Sequence, residues 1–258
     1  MQDLVALIAM FSLALLANFI IAPIIIHSTL KYKVHPTIEK CLFEDMAPDA
    51  GFYLDQIAQA LRVCGFNLAE SLSIIDHVPK MKYYQTLFIN RATGHMALGT
   101  VIYRKKGESL VMILKCLEFL TQFADGHKVE TTNVKMAAGF PPSTVRKVFR
   151  LPQLQDPYQL YEVHRILVSR SDTGAGRFVP PVGSENVFLV GEINQEMERL
   201  VSVGWFCHHE KYHSYRPTWK GSFLMTWKQL WPVKQIRLAR IRKAAHNLLG
   251  TLGYSASA

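Results

Sequence analysis

Cys207, His208, His209 and His213 are the densest group of metal-ligating side chains in the chain. A structural zinc site draws on two ligand pairs at finger-like spacing, and the sequence supplies no second pair. On an extended strand His208 and His209 also point to opposite faces, so no metal site is expected. His77, His95 and His164 stand far apart and are expected as surface or core-edge histidines. Cys64 and Cys116 sit among apolar neighbours, where thiols are usually inert packing groups. The four cysteines, Cys41, Cys64, Cys116 and Cys207, make no CxxC pair, a spacing that suits a reducing compartment. There is no GxSxG elbow, no Walker loop and no GxGxxG after a strand, so no cofactor is expected. An enzyme would have to draw its groups from the turns, for instance Asn90, Arg91, Asp125 and Asn133. Nothing in the sequence fixes their mutual geometry.

Asp172-Thr173-Gly174-Ala175 resembles the short catalytic string of retroviral-type aspartic proteases. Such enzymes need an apolar strand leading into the aspartate and a second carboxylate to share its proton. Here the string follows Ser169-Arg170-Ser171 at the end of a helical pattern. The later Leu189-Val190-Gly191 runs into another helix. The match is read as chance.

Charge is distributed unevenly. The chain carries a formal net charge of +9, yet residues 1–210 balance 20 basic against 20 acidic side chains. The excess lies wholly in residues 211–258, with no acid after Glu210. Such a tail suits an anionic surface. On a helical wheel Leu238, Ile241, Ala245, Leu248, Leu249 and Leu252 share one arc, and Arg237, Arg240 and Lys243 lie off it, with Arg242 at its edge. Lys234, Arg237, Arg240, Arg242 and Lys243 are therefore the expected anionic-surface-binding residues, toward lipid headgroups. The bland alternative has the leucines packing on the folded domain and the cations merely solvated.

The elements that position these groups begin with Leu4 to Ile26, an uncharged run of 23 residues broken only by Ser12, Asn18 and Pro23. As a helix it spans about 34 Å, enough for a hydrocarbon core of about 30 Å. No basic segment precedes it and no small-x-small site ends it, so an uncleaved transmembrane anchor is expected rather than a cleaved signal. Lys31, Lys33 and Lys40 follow the run, whereas only Asp3 precedes it. The positive-inside rule then places the bulk of the chain in the cytoplasm.

Beyond the anchor (1–26), residues 27–50 read as a connector and residues 51–170 as an α+β domain. The stretch 171–190 reads as a loop. A helix is expected from Tyr53 to Cys64, closed by Gly65. Leu72–Val78, Tyr84–Asn90, His95–Arg104, Ser109–Ala124 and Lys128–Val134 read as strands, although part of Leu110–Phe119 lacks alternation and could be helical. Thr93-Gly94, Lys106-Gly107 and Asp125-Gly126 mark the turns. The expected fold is a four- or five-stranded antiparallel meander with a helix on one face. The chain is expected to turn helical after Pro141-Pro142, with Asp156-Pro157 capping a helix to about Ser169.

Residues 191–258 complete the chain. Glu192–Val203 is a helix stopped by Gly204; Trp205–Cys207 and Ser214–Pro217 pair as a hairpin; Tyr215-Arg216-x-Thr218-x-Lys220-Gly221 then opens a helix. The succession from Ile193 to Trp227 resembles the closing half of a winged-helix module. That resemblance implies a three-helix core and a wing. In a DNA-binding member the helix before the wing reads the groove, but here Glu192, Glu196 and Glu198 face Arg199 alone. Acids against phosphates are unfavourable, so nucleic acid is disfavoured as a partner. The sequence thus points to a single-pass, membrane-anchored cytoplasmic protein, held in lipid by residues 4–26. Its expected role is a non-catalytic interaction or scaffolding module with an unidentified protein partner. The alternatives are a membrane-associated enzyme and a membrane-tethered nucleic-acid binder.

Overall fold

The computed structural model describes residues 2–172 and 174–254, and for Gln2 and residues 8, 9 and 11–18 it describes the backbone alone. The fold is α+β with a mostly antiparallel sheet. The elements are α1 (Gln2–Thr29), β1 (Tyr32–Lys33), β2 (Thr37–Lys40), α2 (Pro48–Val63), β3 (Asn67–Ile75), β4 (Met81–Asn90), β5 (His95–Lys106) and β6 (Ser109–Phe123). They continue with β7 (Lys128–Thr132), β8 (Arg146–Arg150), α3 (Pro157–Ser171), β9 (Arg177–Phe178), α4 (Glu185–Ser202) and β10 (Phe206–His209). The chain closes with β11 (Ser214–Pro217), α5 (Trp219–Gln229) and α6 (Val233–Thr251).

The meander β3 to β7 forms as the alternating segments require, each strand antiparallel to the next. Its turns use glycine where the backbone must reverse tightly; Gly126 in the β6–β7 turn has φ +87°. The sheet is larger than the sequence led us to expect. The connector supplies β2, which pairs with β3, and the stretch after Pro141-Pro142 supplies β8 instead of a helix. β8 runs parallel to β7. The connection 133–145 is long enough for that return, which takes about a dozen residues. β9 adds a short pairing beside the end of β6.

Helices cover both faces of this sheet rather than one. On the first face α2, α3 and the end of α6 bury Ile57, Leu61, Leu160, Leu167 and Leu249 against Phe88, Leu117 and Phe119. On the second, Leu189 of α4 packs on Leu72, Ile74, Leu87 and Met96. This explains why β6 lacks a clean polarity alternation and yet is a strand. Leu117, Phe119 and Phe123 enter one core while Leu120 packs on the other, so both faces are apolar. α2 starts at Pro48, five residues ahead of the expected Tyr53, because Pro at the first turn suits a helix start. Asp156 caps α3 as expected, its carboxylate accepting from the Gln159 amide at 2.8 Å.

The terminal part has its own core. β1, β11 and β10 form a three-stranded sheet, and Met197, Leu200, Trp205, Phe206 and Tyr215 pack beneath it with Ile26 of α1 and Leu30 just after it. The Thr218-x-Lys220-Gly221 signature has a local cause. Thr218 caps α5 by accepting from the Gly221 amide and donates to the Gly204 carbonyl, while Lys220 Nζ reaches the Val203 carbonyl. A Cβ at Gly221 would stand 2.0 Å from the Trp205 carbonyl oxygen, so only glycine permits this contact.

The uncharged run does form one helix, α1. Among the described residues, no helix is long and apolar enough to cross a membrane. The side chains of residues 11–18, in the middle of α1, lie outside that description.

Candidate functional site

A cavity of about 250 Å³ lies between the second face of the sheet and α4. Its floor is built by consecutive strands. Leu87, Leu98 and Glu118 stand opposite one another on β4, β5 and β6. Phe188, Ile193 and Met197 of α4 form the roof, and Tyr32, His77 and Phe140 close one side. The walls are therefore mostly apolar, with ionisable groups at two places.

The first is an ion-pair network. Lys128 Nζ, buried, donates to Glu192 and, at 2.9 Å, to Gln195. Arg146 Nη2 reaches Glu192 at 3.1 Å, and its Nε lies 3.1 Å from Glu130. Glu196 is held by Arg199 at 2.7 Å. Glu118 is the cavity carboxyl that makes no ion pair among the described residues. Burial and the neighbouring Glu130 push it up to about 8, against the pull of Arg146, Arg150 and a hydrogen bond from Thr132. Burial pushes Glu130 up as well, but Arg146 opposes this. The two carboxyls titrate as a pair. Glu118 thus faces a mostly apolar space with its carboxyl raised well above the ordinary range.

The second polar place is His77. It is 9 % exposed, and its Nδ1 has no hydrogen-bond partner. Burial lowers its basicity, partly offset by a hydrogen bond to the Lys33 backbone, so the ring is neutral near pH 7.

His95 and His164, expected as isolated, are joined in the other core. His95 Nδ1 lies 2.6 Å from Thr121 Oγ1, which lies 2.9 Å from His164 Nε2; His164 Nδ1 lies 3.0 Å from Thr131 Oγ1. Arg177 Nη1 contacts His95 Nε2 at 3.3 Å. Donor counting orients the chain. Arginine only donates, so His95 Nε2 accepts and its Nδ1–H donates to Thr121. The Thr121 hydroxyl then donates to His164 Nε2, and His164 Nδ1–H donates to Thr131. Sequence separation hid this line, since its members come from β5, β6, β7 and α3.

The remaining expected groups take structural roles. Asn90 Nδ2 donates to the Cys64 carbonyl and its Oδ1 accepts from Thr93. Arg91 binds Glu185 at 2.6 Å and the Pro180 carbonyl at 2.8 Å. Asp125 contacts His127 at 3.1 Å, and Asn133 Oδ1 accepts the Leu117 amide at 2.8 Å. They do not converge on one site. Asp172 ends α3 and pairs with Arg177 at 3.6 Å; Thr173 of the protease-like string lies outside the described residues. Cys207 donates to the Arg216 carbonyl, and His208 and His209 pack on Tyr215 and Tyr212.

The C-terminal cations lie on α6. Lys234, Arg240, Arg242 and Lys243 are exposed, without an acidic partner among the described residues. Arg237 behaves differently: it donates to the Ala138 carbonyl at 2.6 Å and to the Lys228 carbonyl at 3.4 Å. Ala245 and Leu249 are buried in the main core, with Leu248 and Leu252 against it. The later part of the arc, from Ala245 to Leu252, thus packs on the domain, and Lys234, Arg240, Arg242 and Lys243 remain outward. Beside α6, α5 leaves Trp219, Trp227 and, just beyond its end, Trp231 between 51 and 64 % exposed. Trp219 stacks on His27 of α1 at 4.1 Å, and Trp227 meets Phe19 edge-on at 6.1 Å.

These features define an α+β protein with a partly open, mostly apolar cavity, a carboxyl of raised pKa at its wall, and an aromatic and cationic face beside α1. No protein-family model, curated protein or solved structure matches the chain.

Proposed function

We propose that the chain is a single-pass membrane-anchored protein whose folded part lies on the cytoplasmic side and acts as a non-catalytic interaction module, seated on anionic lipid through α6. The observation that carries this reading is the exposed apolar surface at both described ends of α1, with exposed tryptophans beside the second. Leu4, Val5, Leu7, Met10, Ile20, Ile21, Ile24 and Ile25 of α1 are exposed, and Trp219 and Trp227 of α5 meet the second stretch at His27 and Phe19. Exposed apolar surface of that extent calls for an apolar neighbour. Tryptophan favours the headgroup level of a bilayer. The uncharged run Leu4 to Ile26 spans about 34 Å as helix, which matches a hydrocarbon core. Lys31, Lys33 and Lys40 after the run support the cytoplasmic orientation.

The cationic seat then consists of Lys234, Arg240, Arg242 and Lys243, each contributing about 1 kcal/mol near an anionic leaflet. Arg237 serves the fold instead. The succession α4, β10, β11, α5 supports the winged-helix-like reading of the terminal part, used for contact and not for DNA. Glu192, Glu196 and Glu198 of α4 are committed to Lys128, Arg199 and Tyr215.

The test uses the full chain in lipid nanodiscs. Brominated lipids are expected to quench Trp227 and Trp231 in any disc. Lys234 and Lys243 are expected to resist a water-soluble acylating reagent in anionic discs and to react in zwitterionic ones. Unquenched tryptophans, or lysine labelling indifferent to lipid charge, would refute the seat.

A further inference from the structure

A second cavity, of about 540 Å³, opens where β6 ends and β7 and β8 begin, beside the end of α3. Small-molecule sites measure roughly 300–1,000 Å³, so its size suits a ligand. Its floor is apolar, because Phe123 and Val129 belong to the core that α3 covers. Ser143, Thr144 and Ser171 add three hydroxyls, and none of the described lining residues is acidic. Ser143 Oγ accepts the Val145 amide at 3.3 Å, which leaves its own proton free to donate.

The charge balance of the lining selects an anion. Lys128 is committed to Glu192, and Arg146 to Glu192 and Glu130, toward α4. His127 lies 3.1 Å from Asp125. Lys147 and Arg170 remain. Both are exposed, and neither has an acidic partner among the described residues. Lys147 stands opposite Val129 in the parallel pairing of β8 with β7, so its side chain projects on the face that α3 covers. Arg170 reaches the same cleft from the last turn of α3. The carbonyl end of α3 contributes about half a negative charge there, which still leaves a positive surplus. A phosphomonoester matches that surplus, since near pH 7 it carries about −1.5 to −2 charges on three acceptor oxygens. An arginine fork also pairs with phosphate oxygens two at a time.

Position favours a soluble ligand over a lipid headgroup. The chain leaving α1 joins the sheet at its other end, where the Lys33 amide donates to the His77 carbonyl at 2.9 Å and the Lys105 amide to the Lys80 carbonyl at 2.8 Å. The 15 residues of β6 separate the two ends by roughly 50 Å. We propose that this cleft binds a soluble phosphomonoester, its phosphate held by Lys147 and Arg170 and by the three hydroxyls, its body against Val145 and the floor of Phe123 and Val129. The site is independent of the lipid seat, since every residue in it belongs to the folded part.

The test is calorimetry on the full chain in mild detergent at low salt, with ribose 5-phosphate, adenosine 5′-monophosphate and adenosine as probes. Both phosphomonoesters are expected to bind one to one, and adenosine not to bind. Their affinity should rise several-fold from pH 5 to pH 7, as the second phosphate proton, of pKa about 6, is lost. It should also fall as salt is added. Lys147→Ala and Arg170→Ala should each weaken both esters about tenfold. Each removes an exposed side chain, so the fold is expected to persist. Lys106→Ala removes another exposed cation, at the far end of the sheet, and should leave the affinity unchanged. Absence of saturable binding by the esters, adenosine binding as tightly as its phosphate, or an equal loss in the Lys106 variant would overturn the proposal. So would binding of phosphatidic acid in mixed micelles with neither soluble ester bound.

Discussion

Replacing His164 with alanine is expected to remove about 3–5 kcal/mol of stability, the combined effect of a cavity, of the Thr131 hydroxyl losing its donor and of the Thr121 hydroxyl losing its acceptor. The line from Arg177 through His95 and Thr121 to His164 and Thr131 has a single consistent set of donors, and His164 is its penultimate member, fully buried. Thr121 and Thr131 are likewise 0 % exposed, so water cannot replace the ring. The same line makes stability sensitive to acid. Burial, then Arg177 and Arg165, hold His95 down to about 4, and burial, then His95 and Arg177, hold His164 well below the usual value of 6.5. The unfolded chain takes up protons near 6.5 that the folded chain refuses. The histidine contribution is therefore present above pH 6.5 and lost as pH falls toward 4. Urea unfolding of the full chain in detergent, repeated across this range, should show a shallower acid loss in the His164→Ala variant than in the wild type. A change below about 1 kcal/mol, with an unaltered acid slope, would show that the line carries no weight.

Glu118→Gln should act with the opposite sign. Glu118 is pushed up to about 8 in the folded state from an ordinary 4.5, so the folded chain binds a proton that the unfolded chain releases. That stabilisation is complete below pH 4.5 and is lost as pH rises to 8. Glutamine resembles the protonated acid and has nothing to lose. The variant should therefore gain on the wild type by roughly 2–4 kcal/mol between pH 4.5 and 8, with no further change above that. Because the histidines and Glu118 pull in opposite directions, the wild-type curve alone is flattened. Only the difference between the two proteins isolates the carboxyl. A pH-independent difference would mean that Glu118 is ordinary and solvated.

Local patterns carried much of the fold. The turn glycines and the β-branched segments marked β3 to β7, Asp156-Pro157 marked the start of α3, and Gly204 marked the end of α4. What escaped was non-local. β8 reads as a charged stretch, Arg146-Lys147-Val148-Phe149-Arg150, and becomes a strand only because β7 offers a parallel edge. β1 and β2 are two and four residues long and owe their pairing to strands far along the chain.

The site was less legible for the same reason. Glu118 and His77 look like isolated polar residues in apolar strands, and only the arrival of α4 encloses them. Alternation around Glu118 could have flagged it. Leu117 and Phe119 face the opposite core, so residue 118 had to face a second covered surface. The basic helix was visible as a wheel, but the wheel could not show that Arg237 ties down the 138 backbone while its neighbours remain outward.

The measurement that most directly tests the central claim is alkaline carbonate extraction of membranes containing the full-length chain, with its N-terminus verified. Retention in the pellet until detergent is added is the expected result, because α1 then has lipid around its outward leucines and isoleucines. Recovery of the intact chain in the alkaline supernatant would contradict it.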